Sequence, residues 1–181
     1  MDSILRVLLL RTALPVAAIA VAFAVAHVRG ADVRTLFALR PPSARAALGW
    51  LLFWAAWVAA VEVAARALGV AAPAPWVGRG AALLAAIAVG MVLAAPALEE
   101  LVFRGALVSR LQPRLGTAAT VLATAALFSA VHVQYGLPEL GLLFLDGVVL
   151  ALARVRTGSV LLPFAMHAAG NLVAFVQRAA G

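Results

Sequence analysis

The chain has no cysteine, no lysine among its 14 basic side chains, and little charge of either sign, 12% of 181 residues. The missing cysteine removes a disulfide framework, a thiolate metal site and a cysteine nucleophile in one step. Any hydrolytic chemistry must come from Glu, Asp, His, Ser or Thr. The all-arginine usage, together with the richness in Ala and Val, reads as coding bias of the source and carries no mechanism. The scarcity of charge says more. A soluble fold needs polar surface to cover its core, whereas this chain is 66% hydrophobic with a mean hydropathy of +1.09. A formal charge of +7 and a pI near 11.7 would suit nucleic acid, but the arginines fall between apolar runs without interleaved aromatics, so no nucleic-acid partner is expected. The partner implied is the lipid bilayer.

A span of a ~30 Å hydrocarbon core takes about 20 residues. Apolar runs of that order lie near 7–27, 46–68, 80–98, 117–133, 139–153 and 159–177. The expected fold class is therefore all-α, a polytopic transmembrane helical bundle of about six spans. Ala24-Val25-Ala26 resembles a signal-peptide cleavage site, but the length of the first run, its Arg11 and the runs that follow favour a retained span. Arg29, Arg34, Arg40 and Arg45 follow the first run, Arg110 and Arg114 the third, and Arg154 and Arg156 the fifth. The positive-inside rule then makes the odd-numbered loops cytoplasmic and puts both termini on the other face. Pro41-Pro42 should stop one segment and Ser43 cap the next, while Ala72-Pro73-Ala74-Pro75 reads as a stiff linker. Trp50, Trp54 and Trp57 recur at helical spacing, which suggests a packing or lipid-facing stripe. No internal repeat or second soluble domain is visible. Residues 1–80 read as N-terminal transmembrane helices and 81–181 as a catalytic helical core.

An ionisable group near the bilayer centre costs ~2.5 to 3.5 kcal/mol on insertion scales, so each one demands a partner, a cavity or a function. The second half of the chain concentrates them. Glu100 and Arg104 stand four residues apart on one helix face and can pair, which gives them a supporting role. Glu99 is rotated about 100° away and is left free to face a cavity as a general base. Phe128 with His132, and His167 with Asn171, each form an i, i+4 pair on one helix face. If the chain turns at Gly116, Glu99 and His132 reach nearly the same depth, about 25 Å from the turn at 1.5 Å per residue. A carboxylate and an imidazole can hold and deprotonate a water, while a second imidazole and an amide donate to an oxyanion. The alternative is a zinc centre on Glu99, His132 and His167. Without a His-Glu-x-x-His helix that metal reading is the weaker one, and no cofactor is favoured.

Glu99-Glu100-x-x-x-Arg104, Phe128-x-x-x-His132 and His167-x-x-x-Asn171, in this order, resemble the three signature motifs of the CAAX protease and bacteriocin-processing (CPBP, or Abi) intramembrane proteases. Supporting context runs from Glu99 to about Val173. The resemblance implies an intramembrane endopeptidase of glutamic or metallo type, like the CAAX prenyl protease 2 enzymes. In it Glu99 and His132 would activate water, His167 and Asn171 would stabilise the oxyanion, and Glu100, Arg104 and Phe128 would support the site. It further implies a protein or peptide substrate, with a C-terminal tail or a leader as candidates, and a multi-pass location in a prokaryotic plasma membrane. One residue departs from the family pattern: Asp146 stands where apolar or small residues are expected, and a structural role is the preferred reading for it. Glu62, four residues before Arg66, reads as interfacial. The competing functions are a non-catalytic membrane scaffold of the same fold and a proton-coupled transporter; transporters often show repeated halves, and the first half here has no such constellation.

Overall fold

In a computed structural model the described residues are 3–70, 76 and 78–180. The Ala72-Pro73-Ala74-Pro75 linker lies outside them. The described chain is helical throughout: α1 (residues 3–28), α2 (Val33–Leu36), α3 (Ala44–Ala67), α4 (81–115), α5 (117–130), α6 (Leu137–Thr157) and α7 (Leu161–Ala180). Among the described residues there is no strand. Three stretches, Ile4–Val28, Ala44–Ala67 and the folded-back Ala81–Ala130, are long and apolar enough to cross a membrane. Their apolar surface faces outward, as Leu14, Val21, Leu52 and Val63 show, because the solvent for these faces is lipid.

The sequence sets the helix ends where expected. The Ser43 hydroxyl accepts the Ala46 amide at the start of α3. Gly116 turns the chain with φ 75° and ψ 172°, a conformation open essentially to glycine alone. The fold-back stacks α5 on α4, and Phe103, thirteen residues before the turn, meets Phe128, twelve after it, with ring centroids 5.5 Å apart. Gly158 ends α6 in the left-handed region, and its carbonyl accepts Arg40 Nε at 2.9 Å, which ties the α2–α3 loop to the α6–α7 corner.

One boundary differs from the sequence reading. The third apolar run ends near residue 98, and α4 continues past it as helix to the Gly116 turn, its polar residues held inside the protein. His132 was placed on a helix face, yet α5 ends at Ala130 and His132 lies just past it, where the chain turns toward the Gly136 and Pro138 that open α6.

Proline shapes the helices that carry the site. Each of two π-helical stretches, Leu9–Ala13 in α1 and Val89–Ala94 in α4, is followed two residues later by proline, Pro15 and Pro96. In π register a carbonyl serves the amide five residues on, as the Gly90 carbonyl serves Ala95. The next carbonyl, Met91, would be served by Pro96, which has no N–H. The two π stretches also touch, since a Cβ on Gly90 would fall 2.7 Å from that of Arg11.

The core joins the N-terminal part to the rest. Trp54 of α3 packs with Val149, Leu150 and Ala153 of α6 and with Leu162 and Met166 of α7. Gly147 lets α6 approach α5 closely, because a Cβ there would lie 3.0 Å from the Ala125 Cα.

Candidate active site

Glu99 and Glu100 end the α-helical stretch Ala95–Glu100, and the backbone then runs in π register over Leu101–Leu107. Such bulges re-aim side chains and are frequent at functional sites. Glu100 and Arg104 are fully buried, and Arg104 Nη1 donates to Glu100 Oε1 at 2.9 Å. Its Nη2 donates to the Gly147 carbonyl at 3.1 Å, and its guanidinium carbon lies 4.4 Å from the Phe128 ring centroid. A buried ion pair persists only where further hydrogen bonds satisfy its remaining atoms, and these contacts do most of that. Glu100 Oε2 and Arg104 Nε are left without partners.

The α7 helix brings His167 onto the same carboxylate. His167 Nδ1 lies 2.9 Å from Glu100 Oε1. The ionised carboxylate that pairs with Arg104 can only accept, so Nδ1 carries the hydrogen and Nε2 is turned away from Glu100. Nε2 lies 3.8 Å from Glu99 Oε2, too far for a direct hydrogen bond and close enough for one oxygen atom to serve both. His132 repeats the arrangement from the end of α5. Its Nδ1 donates to the Phe128 carbonyl at 2.7 Å, which again leaves Nε2 for chemistry. His132 also lies within electrostatic range of Glu99. Phe128 contacts both imidazoles, with ring centroids 4.9 Å from His132 and 5.8 Å from His167.

Glu99, Glu100, Arg104, Phe128, His132 and His167 are thus gathered in one place. Glu99 approaches His167 at 3.8 Å and has both imidazoles within electrostatic range. Asn171 is engaged differently: its Nδ2 donates to the Met91 carbonyl at 2.8 Å, the carbonyl left unserved by Pro96. That bond uses one of two amide hydrogens. Among the described residues no three His, Asp or Glu side chains come together in a way that holds a metal ion.

Beside the cluster lies a cavity of about 220 Å³ whose wall includes Phe128, Asp146, His167, Asn171, Trp54 and Glu62. Asp146 Oδ1 accepts Trp57 Nε1 at 2.7 Å, so one tryptophan of the stripe holds a carboxylate. The sequence reading missed this role, because helical spacing identifies a face without showing what the face meets. It also counted Arg154 as a loop charge. The structure buries Arg154, whose Nε donates to the Arg104 carbonyl at 2.9 Å and whose Nη2 donates to Ser109 Oγ, bracing the π stretch. Its place inside Ala151-Leu152-Ala153-Arg154 was the available signal. Glu62 and Arg66 pair at 3.0 Å and are exposed, as expected for an interfacial pair.

A curated relative from Escherichia coli, "Uncharacterized 24.3 kDa protein", is 40% identical over 80 residues, covering 40% of this chain and 35% of that protein. The matched region spans about a third of that relative's length. No solved structure matches the chain. Residues 81–173, just over half of the chain, match the family described as Type II CAAX prenyl endopeptidase Rce1-like. They include α4, where the paired glutamates and Arg104 lie, as well as Phe128, His132, His167 and Asn171. The chain belongs to the Type II CAAX prenyl endopeptidase Rce1-like family.

Proposed function

We propose that this protein is a multi-pass intramembrane endopeptidase that hydrolyses a peptide bond with water activated by Glu99 and His132. The observation that carries the reading is the shared posture of the two imidazoles. Each has Nδ1 tied to an acceptor and Nε2 released, and a half-buried carboxylate, Glu99, faces His167 and has His132 within electrostatic range. In this reading a water between Glu99 and His132 attacks the carbonyl carbon of the scissile bond, and Glu99 takes its proton. The tetrahedral oxyanion receives hydrogen bonds from His167 and the second amide hydrogen of Asn171. For Nε2 to donate while Nδ1 donates to Glu100, the His167 ring must carry both hydrogens. The carbon–nitrogen bond then breaks, and Glu99 returns its proton to the departing amine. Glu100 and Arg104 hold the imidazole, and Phe128 packs against both rings.

The substrate in this reading is a protein or peptide whose scissile bond reaches the membrane, with C-terminal tails and leaders as the classes to try. The test is cleavage by purified protein in liposomes against both classes of peptide, with and without chelator. Cleavage should survive chelation and disappear in Glu99→Ala and His132→Ala. Full activity in both variants would remove the assigned base, and loss on chelation with recovery on added zinc would replace it with a metal centre.

A further inference from the structure

The cavity beside the site has a wall that peptide hydrolysis does not use. Asp146, Glu62, Trp54 and Gln177 line it together with His167 and Asn171. Its volume of about 220 Å³ is many times the roughly 10 to 15 Å³ that one water molecule needs. Asp146 also lines a second cavity of about 190 Å³, shared with Tyr135 and Glu139, and Tyr135 stacks on His132. One carboxylate therefore stands where two hollows meet, one beside each imidazole.

Charge and hydrogen bonding both indicate the chemistry this cavity fits. Asp146 lies within electrostatic range of Arg104 and His167. Arg104 already pairs with Glu100, and His167 leans on Glu100 and faces Glu99. Three carboxylates thus share one permanent cation and two imidazoles, and no arginine is on the wall of either cavity. Trp57 supplies Asp146 with one neutral hydrogen bond and no charge. Such a carboxylate in a low-dielectric site favours a cation strongly. Trp54 adds an independent sign. It is 5% exposed, and its Nε1 is without a hydrogen-bond partner. That indole edge lies against Gly170, where a Cβ would come within 3.6 Å of Nε1, and both residues border the cavity. A buried N–H donor without a partner asks for an acceptor. A lysine or arginine residue of a peptide offers both groups, a side-chain cation and a main-chain carbonyl.

Resting on the endopeptidase reading, we propose that this cavity is a substrate subsite for a basic residue, with Asp146 taking the ammonium or guanidinium and Trp54 Nε1 donating to a backbone carbonyl of the same segment. Asp146 is then the residue that sets substrate preference, which accounts for a carboxylate where the family pattern expects an apolar or small side chain.

The test is direct binding, which does not depend on turnover. The full chain in detergent micelles is titrated with a dansyl-labelled decapeptide of Ala and Leu carrying one central lysine, and with the same peptide carrying norleucine. Wild type should bind the lysine probe about tenfold more tightly, the scale of one charge-assisted contact. Asp146→Asn keeps an acceptor for Trp57 and should remove that difference, while Asp146→Glu should keep it. Trp54→Phe should weaken both probes alike. Equal binding of the two probes by wild type, or an undiminished preference in Asp146→Asn, would overturn the subsite. A lysine preference that depends on Asp146, in a protein that cleaves neither probe nor any tail or leader peptide, would uphold the subsite and sink the endopeptidase reading instead.

Discussion

Replacing Arg104 by methionine tests the centre of the site more sharply than any change at its edge. Methionine fills much of the same volume but removes the cation, leaving the Glu100 carboxylate buried beside His167 and the Gly147 carbonyl without its donor. Breaking a buried pair on one side costs about 3 to 5 kcal/mol, because the other charge stays in the interior unpaired. At roughly 2 to 4 °C per kcal/mol for a chain of this size, the unfolding midpoint should fall by about 6 to 20 °C. The Arg104→Met, Glu100→Gln double variant removes both charges while Gln Oε1 still accepts from His167 Nδ1. It should regain about half of the loss, because the uncompensated charge is the larger part of the penalty. The assay is thermal unfolding of the detergent-solubilised protein, followed by the monodisperse fraction remaining after heating. That readout also ranks variants that fold poorly. A double variant no more stable than Arg104→Met would show that the pair is not the source of the stability and would refute the reasoning.

Glu99→Gln should unfold within a degree or two of wild type, since Glu99 meets His167 at 3.8 Å without a direct hydrogen bond, while peptide cleavage falls by roughly 10² to 10⁴; matched unfolding and turnover measurements check both. Asn171→Ala should cost about 1 to 3 kcal/mol by stranding the Met91 carbonyl, and much less in a Pro96→Ala background, where residue 96 regains an N–H; a double-mutant cycle in thermal unfolding reads that coupling, and strict additivity would contradict the π-register account. Gly147→Ala should destabilise the α5–α6 contact by about 1 to 3 kcal/mol, because the new methyl meets Ala125 backbone at 3.0 Å, and the midpoint shift measures it. Outside the membrane, the Thr35 hydroxyl and the Arg34 amide hold the Asp32 carboxyl below its ordinary value of 3.8. With the folded value depressed, the cap at α2 is complete above the unfolded value and lost as pH falls through the folded one; protection of the Arg34 amide in hydrogen exchange should fall in that acid window and persist at neutral pH.

Much of this protein was legible before any fold was known. The helical class, the outward apolar faces, the Gly116 turn, the Ser43 cap and the Glu100–Arg104 pair each depend on composition or on neighbours within one turn, and those are local properties of a chain. The equal depth expected of Glu99 and His132 about the turn assumed helix through both, and α5 ends at Ala130, before His132.

What only the tertiary structure decided involves partners far apart in sequence. Trp57 holds Asp146 across 89 residues, Arg154 braces Arg104 across 50, and Asn171 serves Met91 across 80. None has a periodic signature, because each exists only once two helices have docked. Met91 shows how the two levels meet. Pro96 settles in the sequence that one carbonyl of α4 lacks its donor, and the packing of α7 against that stretch settles that Asn171 supplies it. A chain can state locally which polar groups it leaves unsatisfied, but only the assembled helices determine which side chain answers each one.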